Sequence, residues 1–293
     1  MYNEIMEVIL SKKFYGYCPG LKRSLEIADN LWRQAKVAKK KIYFDVPLAH
    51  NEIVKKGLES KGFCQIDVNE SISGRGNLFL ISAHGASPDK INLLKQRGFK
   101  VKSATCPKVT RLQQLVTESH RGGSQVLIFG DKEHPEIIGV NGCAGESAII
   151  LKSIEEAEKI RLIKKTVVLS QTTFPLKKFK ELAAILKKNN PKIELSVKQT
   201  ICPIVEGRIL EICELAEKEK PDLSVVVGST LSNNTKLLNA RLSEINQTIM
   251  VGNESELNPV DFLGKNKILV AAGTSTPPEV IKRVAAKLKS LNK

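Results

Sequence analysis

The chain has 293 residues, of which 42% are hydrophobic and 26% charged, and its formal net charge is +15 at pH 7. This length allows two or three domains with a sizeable core, and the absence of any run of about 18 apolar residues argues against a membrane-spanning helix. Met1–Glu4 lack the basic and apolar parts of a secretory signal, so we expect a cytoplasmic globular protein.

The positive charge is spread along the chain rather than concentrated in one segment. Lysines form small clusters such as Lys39–Lys41 and Lys187–Lys188, and the chain has only nine Phe, four Tyr and one Trp. Basic and aromatic residues do not alternate as they do on many nucleic-acid-binding surfaces. A solvated basic surface is therefore the favoured interpretation, followed by a docking face for an acidic protein partner, and nucleic-acid binding is the least favoured.

The first third of the chain contains three loops, each preceded by a strand-like run and followed by a helical pattern. Cys18-Pro19-Gly20 opens the first helix. The short apolar runs Ile42–Phe44 and Leu78–Ile81 precede the polar loops Pro47–Asn51 and Ser82–Pro88. Short runs rich in β-forming residues and bounded by such loops predict strands.

The same order recurs twice more. In the middle third, Cys106-Pro107 opens a helix, and the apolar runs Gln125–Phe129 and Thr166–Leu169 precede the loops Gly130–Glu136 and Ser170–Pro175. This recurrence predicts a second copy of the same structural repeat.

In the last third, Cys202-Pro203 opens a helix, and Leu223–Val227 and Ile268–Ala271 precede the loops Gly228–Asn234 and Ala272–Pro278. The chain therefore reads as three pseudo-repeated α/β units, 1–105, 106–200 and 201–293, with mostly parallel sheets. In parallel sheets, ligands bind beyond the carboxyl ends of the strands, where loops lead into helices.

Any single loop of this kind is explained equally well by helix capping alone. Nine loops in register across three repeats favour a shared site instead. The helices that follow two of these loops, Leu176–Leu186 and Glu279–Leu288, have apolar residues at three- and four-residue spacing, as amphipathic helices do.

Three cysteines stand at the same place in the three repeats, at intervals of about 90 residues, and could converge near a three-fold axis. The proline after each places the cysteine near a helix N-cap, where the helix dipole favours a thiolate. Three thiolates fit a [4Fe–4S] cluster with one iron left open. Zinc is the competing metal, although close C-x-x-C pairs are absent. Of the other cysteines, Cys64 and Cys213 fit a strand and a helix core, and Cys143 is a weaker site candidate.

The remaining loop residues that can form hydrogen bonds at the predicted strand ends are His50, His84, His134, Glu136, Thr172, Ser232, Asn234 and Ser275. Neutral donors combined with helix N-termini bind phosphate without many arginines. Glu136, two residues after His134, is a candidate proton donor beside the cluster. Anion binding, electron transfer and proton delivery together indicate reductive chemistry on a phosphorylated substrate.

At these residues the chain resembles the 4-hydroxy-3-methylbut-2-enyl diphosphate reductase family, also called IspH or LytB. The matching segments cover the chain in order and are Gly16–Gly20, Pro47–Asn51, Ser82–Gly85, Ala104–Thr110, His134–Glu136, Gln171–Thr173, Thr200–Cys202 and Ala272–Ser275. The resemblance implies three α/β domains arranged around a central iron–sulfur site. It also implies the last step of the methylerythritol phosphate pathway, in which two electrons and two protons remove an allylic hydroxyl to give isopentenyl and dimethylallyl diphosphate. The electrons would come from an acidic donor such as ferredoxin or flavodoxin.

The resemblance also assigns roles to residues of this chain. The implied ligands of a [4Fe–4S] cluster with an open fourth iron are Cys18, Cys106 and Cys202. The implied proton-delivery group is Glu136, assisted by Thr172 and His134. The residues implied to bind the diphosphate are His50, His84, His134, Thr172, Ser232, Asn233, Asn234 and Ser275.

The chain departs from the family pattern in a few places. Pro203 follows the third cysteine where an aromatic residue is usual, Leu231 stands where Asn is common, and Glu133 replaces a usual glycine. These departures keep a second hypothesis open, a paralogous iron–sulfur reductase or dehydratase that acts on a different anionic substrate. A non-catalytic iron–sulfur sensor or a nucleic-acid-binding protein is the third, and Glu136 argues against it because a binding module needs no proton donor.

Overall fold

A computed structural model describes residues 6–11, 15–68 and 72–291. Met1–Glu4, on which the expectation about a secretory signal rests, lie outside the described residues. The chain forms two compact units. The first unit comprises Met1–Leu21, Ala49–Lys56 and Pro203–Lys293, and the second unit comprises Lys22–Leu48 and Gly57–Cys202.

Strands and helices alternate along most of the chain. The strands are β1 (Glu7–Leu10), β2 (Ile42–Phe44), β3 (Phe63–Gln65), β4 (Leu78–Ile81), β5 (Lys100–Ser103), β6 (Gln125–Phe129), β7 (Ile149–Leu151), β8 (Thr166–Ser170), β9 (Leu195–Val197), β10 (Leu223–Val227), β11 (Thr248–Val251) and β12 (Lys267–Ala272). The helices are α1 (Pro19–Ala38), α2 (Glu52–Glu59), α3 (Pro88–Gln96), α4 (Pro107–Arg121), α5 (Pro135–Asn141), α6 (Ile154–Lys159), α7 (Leu176–Asn189), α8 (Pro203–Glu219), α9 (Asn233–Ser243) and α10 (Pro278–Ser290). Three short 3₁₀ turns cover Gly142–Ala144, Glu254–Glu256 and Pro259–Phe262.

The first unit contains a four-stranded parallel sheet in the order β1-β12-β10-β11. Its central strands, β10 and β12, are largely apolar and almost wholly buried, as suits a sheet that is covered on both faces. Val225, Val227, Ile268 and Val270 belong to one buried cluster with Val284 of α10.

The second unit contains two further parallel sheets, in the orders β3-β2-β4-β5 and β7-β6-β8-β9. In the former, the buried rings of Phe79 and Phe99 meet edge to face with centroids 5.5 Å apart. In the latter, Phe129 and Val168 pack against Leu182 of α7. The three parallel sheets confirm the predicted α/β class.

The predicted elements are confirmed with small shifts at their ends. The strand predicted at Thr166–Leu169 extends to Ser170, because Ser170 still pairs with Phe129 of the neighbouring strand. The helix predicted at Leu176–Leu186 continues to Asn189. The repeat boundaries near residues 105 and 200 stay predictions.

The six polar loops predicted in addition to the three Cys-Pro segments follow the carboxyl ends of strands, namely β2, β4, β6, β8, β10 and β12. This is the edge at which parallel sheets bind ligands. In the described ranges, no helix is long and apolar enough to cross a membrane.

Candidate functional site

In the second unit, Glu136 of α5 is buried against the loop after β8. Glu136 is 3% exposed. Its Oε1 accepts a hydrogen bond from the Thr172 backbone N–H, and its Oε2 accepts one from the Thr172 hydroxyl, both at 2.7 Å. Burial raises the pKa of this carboxyl group, although the two hydrogen bonds from Thr172 act in the opposite direction. Glu136 is therefore a carboxyl group that retains a proton at higher pH than an exposed one.

His134 is the N-cap of α5 and so helps to position Glu136. Pro135 occupies the first helical position, and the His134 side chain caps the helix by accepting the Glu136 N–H at Nδ1, at 3.1 Å. Because Nδ1 accepts, the neutral ring carries its proton on Nε2. The His84 ring meets the His134 ring edge to face, with centroids 5.2 Å apart. The structure thus brings His84, His134, Glu136 and Thr172 together.

Two of the predicted cysteine ligands form backbone hydrogen bonds to the loops that carry His84 and Thr172. Cys106 is the N-cap of the 15-residue helix α4, and its backbone N–H donates to the Ala83 carbonyl, next to His84, at 3.0 Å. The Cys202 N–H donates to the Thr172 carbonyl at 2.7 Å. Both cysteines are half-buried. Their backbones are therefore fixed directly beside the residues predicted to bind substrate.

The third predicted ligand, Cys18, lies in the first unit beside the loop after β12. Its N–H donates to the Thr274 carbonyl at 3.0 Å, and its Sγ accepts the Leu21 N–H at 3.4 Å. All six cysteines of the chain lie within the described residues and are thiols rather than disulfides. In these residues, no three side chains of His, Cys, Asp or Glu are grouped so that they could hold one metal ion.

The sequence did not predict a role for Arg208, which is 2% exposed in α8. Its Nη1 donates to the carbonyls of Ala272 and Gly273, at 3.4 and 3.2 Å, just before Thr274. Burial lowers the pKa of the guanidinium, and its electrostatic interactions with Cys18 and Glu211 act in the opposite direction. A signal was available, since Arg208 interrupts the apolar stripe of this helix.

The predicted anion-binding residues of the first unit meet at the start of α9. Ser232 is the N-cap and accepts the Thr235 N–H, while Asn234 Nδ2 donates to Thr274 Oγ1 at 2.6 Å. Asn234 and Ser275 are 5% and 8% exposed. Within the described part of the chain, Asn234 Oδ1 and Ser275 Oγ have no hydrogen-bond partner. Buried polar atoms without protein partners are rare in folded proteins, and a bound water or polar ligand would satisfy them.

His50 also belongs to this part of the first unit. The pKa of its imidazole is lowered, first by burial and then by the positive charge of Lys236 on α9. A cavity of about 200 Å³ opens beside the next residue, Asn51, and its other walls include Ser229 and Asn253 at the ends of β10 and β11. Asn233, the first residue of α9, is half-buried. Lys236 is a second residue that the sequence did not single out.

Cys143, the weaker candidate for a site residue, packs against a cluster of buried apolar residues. Its half-buried thiol donates to the Gly139 carbonyl within its own helical segment at 3.4 Å, and burial raises its pKa. A thiol that stays protonated is a poor nucleophile and a poor metal ligand.

The model of the LytB protein family matches the chain over residues 8–289. The chain belongs to the LytB protein family. This confirms the family predicted from the sequence motifs. Members of the family are known to bind an iron–sulfur cluster.

Relatives of known name agree with this LytB membership over nearly the full length. The chain is 34% identical over 289 residues to the 4-hydroxy-3-methylbut-2-enyl diphosphate reductase of Caldanaerobacter subterraneus subsp. tengcongensis, which covers 98% of both proteins. It is 35% identical to the protein of the same name from Clostridium perfringens strain SM101, over 97% of this chain and 99% of the relative.

Two solved structures resemble the LytB chain described here. The E-1-hydroxy-2-methyl-but-2-enyl-4-diphosphate reductase of Plasmodium falciparum matches with a TM-score of 0.87 and 26% identity, over 96% of this chain and 87% of the other. The second structure is that of (E)-4-hydroxy-3-methyl-but-2-enyl diphosphate reductase, the terminal enzyme of the non-mevalonate pathway. It matches this chain with a TM-score of 0.70 and 27% identity. That match covers 97% of this chain and 99% of the other.

Proposed function

We propose that this LytB protein reduces 4-hydroxy-3-methylbut-2-enyl diphosphate to isopentenyl and dimethylallyl diphosphate. The allylic C–O bond breaks and the hydroxyl leaves as water, which takes up one proton. Two electrons and a second proton complete the C–H bond of the product. The names of the relatives support this assignment, and the single observation that carries it is the buried Glu136 carboxyl group bound by Thr172.

Glu136 and Thr172 suit the delivery of a proton. The raised pKa of Glu136 keeps its carboxyl group protonated over a wider pH range. The Thr172 hydroxyl lies 2.7 Å from Oε2, so it can accept that proton while it donates its own towards a substrate. His134 holds the start of α5, and with it Glu136, in position.

The cysteines suit an iron–sulfur cofactor. Cys18, Cys106 and Cys202 are half-buried thiols, each directly before the proline that begins a helix. Such positions favour the thiolate, and cluster thiolates bind different irons, so a grouping around one ion is not required. We therefore assign these three cysteines as ligands of a [4Fe–4S] cluster whose fourth iron has no cysteine. When bound, such a cluster supplies electrons and Lewis acidity, and we expect the electrons to come from an acidic ferredoxin or flavodoxin.

The diphosphate is the part of the substrate that the polar loops would hold. In the first unit, Asn234 Oδ1 and Ser275 Oγ are buried polar atoms without partners in the described ranges, and Ser232 caps the adjacent helix. The N-terminus of α9 adds the positive end of an 11-residue helix. The family resemblance adds His50, His84, His134, Thr172 and Asn233 to this set.

The test is turnover by anaerobically reconstituted protein with dithionite-reduced methyl viologen as the electron source. We expect oxidation of the viologen on addition of the hydroxymethylbutenyl diphosphate, with two viologen radicals consumed for each product molecule detected by mass spectrometry. A protein with an intact cluster spectrum that leaves this substrate unchanged would contradict the proposal, and would direct attention to another anionic substrate.

A further inference from the structure

Two helices carry cations of the second unit where the helix dipole disfavours them. Lys22 and Arg23 lie in the first two turns of α1, and Lys108 and Arg111 lie in the first two turns of α4. Neither helix has an acidic residue in its first turn. Because the N-terminal end of a helix is its positive end, these four residues oppose the dipole and do not serve helix stability.

The two helix starts form one surface. The Ser24 hydroxyl donates to the Ala104 carbonyl at 2.7 Å in a buried hydrogen bond, and Arg23 Nη1 donates to the Thr105 carbonyl at 3.1 Å. These contacts hold the start of α1 against the two residues that precede Cys106. We call the exposed side chains of Lys22, Arg23, Lys108 and Arg111 the basic face.

The charges of the basic face are not neutralised by the protein itself. Among the described residues, Arg111 is paired with Glu118, at 3.9 Å and with both side chains about 60% exposed, and no ion pair involves the other three. A pair this long and this exposed contributes little.

The charge at other helix starts varies. The start of α7 also lacks an acidic residue and carries the exposed Lys177, whereas α8, which follows Cys202, has Glu206 in its first turn. The basic face is therefore distinguished by the two hydrogen bonds that join two such cationic segments beside Cys106.

We propose that the basic face is the docking site of an acidic electron-carrier protein, which delivers electrons to the enzyme beside Cys106. This rests on the proposed function, which requires two electrons for each substrate molecule. Two one-electron oxidations of the reduced carrier supply them, and the two protons come separately from solvent. Exposed cations spread over two helices suit a protein partner rather than a small anion, and complementary charge accelerates such encounters.

The experiment compares two reductants on the reconstituted holoenzyme, a bacterial flavodoxin kept reduced by NADPH and its reductase, and dithionite-reduced methyl viologen. The variant is Lys108→Glu/Arg111→Glu, which should strengthen the start of α4 and so leave folding intact. We expect kcat/KM for flavodoxin to fall at least about tenfold, while the methyl viologen rate stays within about twofold of the wild type. The control, Lys187→Glu/Lys188→Glu, makes the same change of charge on exposed residues of α7 and should alter neither rate.

Ionic strength gives a second readout. The flavodoxin rate of the wild type should fall as ionic strength rises from about 0.01 to 0.15 M, and the rate of the basic-face variant should depend much less on salt. Equal flavodoxin kinetics for variant and wild type would overturn the proposal. So would an equal loss with both reductants, because this would indicate a structural role.

A binding measurement separates this proposal from the proposed function. Flavodoxin should bind the wild type in a calorimetric titration at low salt, and bind the basic-face variant at least about tenfold more weakly, whether or not the enzyme turns over the diphosphate. The docking site would be refuted if the variant bound flavodoxin as tightly as the wild type does. It would also be refuted if the basic face bound a DNA oligonucleotide more tightly than flavodoxin at about 0.15 M salt. A wild type that binds flavodoxin in this way but reduces no substrate would refute only the proposed function.

Discussion

At the scale of single residues, the main feature of the candidate site is the Glu136 carboxyl group, which accepts two hydrogen bonds from Thr172. Both oxygens of Glu136 accept from Thr172, one from the backbone and one from the hydroxyl. The sequence singled out both residues but could not join them, because 36 positions separate them along the chain. The same limit explains why Arg208 was missed, since its acceptors at Ala272 and Gly273 lie in a distant loop.

The first prediction concerns the proton of Glu136. In Glu136→Gln, the amide oxygen can still accept the hydrogen bond from the Thr172 N–H, and the amide NH₂ can donate to the Thr172 hydroxyl. The amide cannot, however, deliver a proton to the substrate. We expect kcat with methyl viologen to fall by about 10²- to 10⁴-fold while the cluster absorbance is unchanged. A variant that keeps more than about a third of the wild-type rate would contradict this role.

The pH dependence of the wild type follows from the same carboxyl group. Because the protonated form acts and its pKa lies above the usual value, kcat should be highest below that pKa and decline as the pH rises through it. The residual rate of Glu136→Gln should lack this decline.

Thr172→Ser, which keeps the hydroxyl, should retain far more activity than Thr172→Val. Equal losses of activity in the two variants would exclude a role for the hydroxyl.

At the scale of elements, strand ends and helix starts position the site. The loop after β12 runs closely past α9, and Thr274 contacts both the Asn234 side chain and the Cys18 backbone. This approach requires a glycine, because a Cβ on Gly273 would lie 2.3 Å from Thr235 Oγ1. The pattern of short strands and polar loops predicted these elements, but it could not predict how closely one loop passes another.

The second prediction concerns this close approach. Gly273→Ala should lower the free energy of unfolding by about 1–3 kcal/mol and weaken pyrophosphate binding, since the loop or α9 must move. Thermal unfolding and calorimetry measure the two effects. Gly57→Ala is the matched control, because a Cβ there meets nothing within 4 Å inside α2, and it should be neutral or stabilise by up to about 1 kcal/mol.

A double-mutant cycle makes this test specific. Thr235→Ala removes the hydroxyl oxygen with which the new methyl group would collide, so it should recover part of the loss caused by Gly273→Ala. Strict additivity of the two substitutions would show that the collision is not the cause.

At the scale of the whole molecule, the chain forms two compact units, each with its own parallel sheets. Cys18 belongs to the first unit, and Cys106 and Cys202 belong to the second. The three parallel sheets do not fully follow the predicted repeats, because β1, from the predicted first repeat, pairs with β12 of the predicted third. The boundaries of the repeats stay predictions.

The third prediction tests that ligand set. Serine in place of Cys18, Cys106 or Cys202 should each abolish the brown absorbance of the anaerobically reconstituted protein and its EPR signal, because a cluster needs every thiolate. Cys64→Ser and Cys143→Ser are the controls and should keep both signals. An unchanged spectrum in any of the three ligand variants would remove that cysteine from the set.

The sequence by itself determined the family, the α/β class, the positions of six of the twelve described strands, and the loops that carry the polar residues. These features are encoded locally, in apolar periodicity, in prolines at helix starts and in motifs of a few residues. Only the tertiary structure decided which of these residues meet: Glu136 with Thr172, Arg208 with the carbonyls before Thr274, and the start of α1 with the loop before Cys106. The physical reason is that a hydrogen bond depends on distance in space, and no pattern along the chain specifies which distant donor will reach a given acceptor.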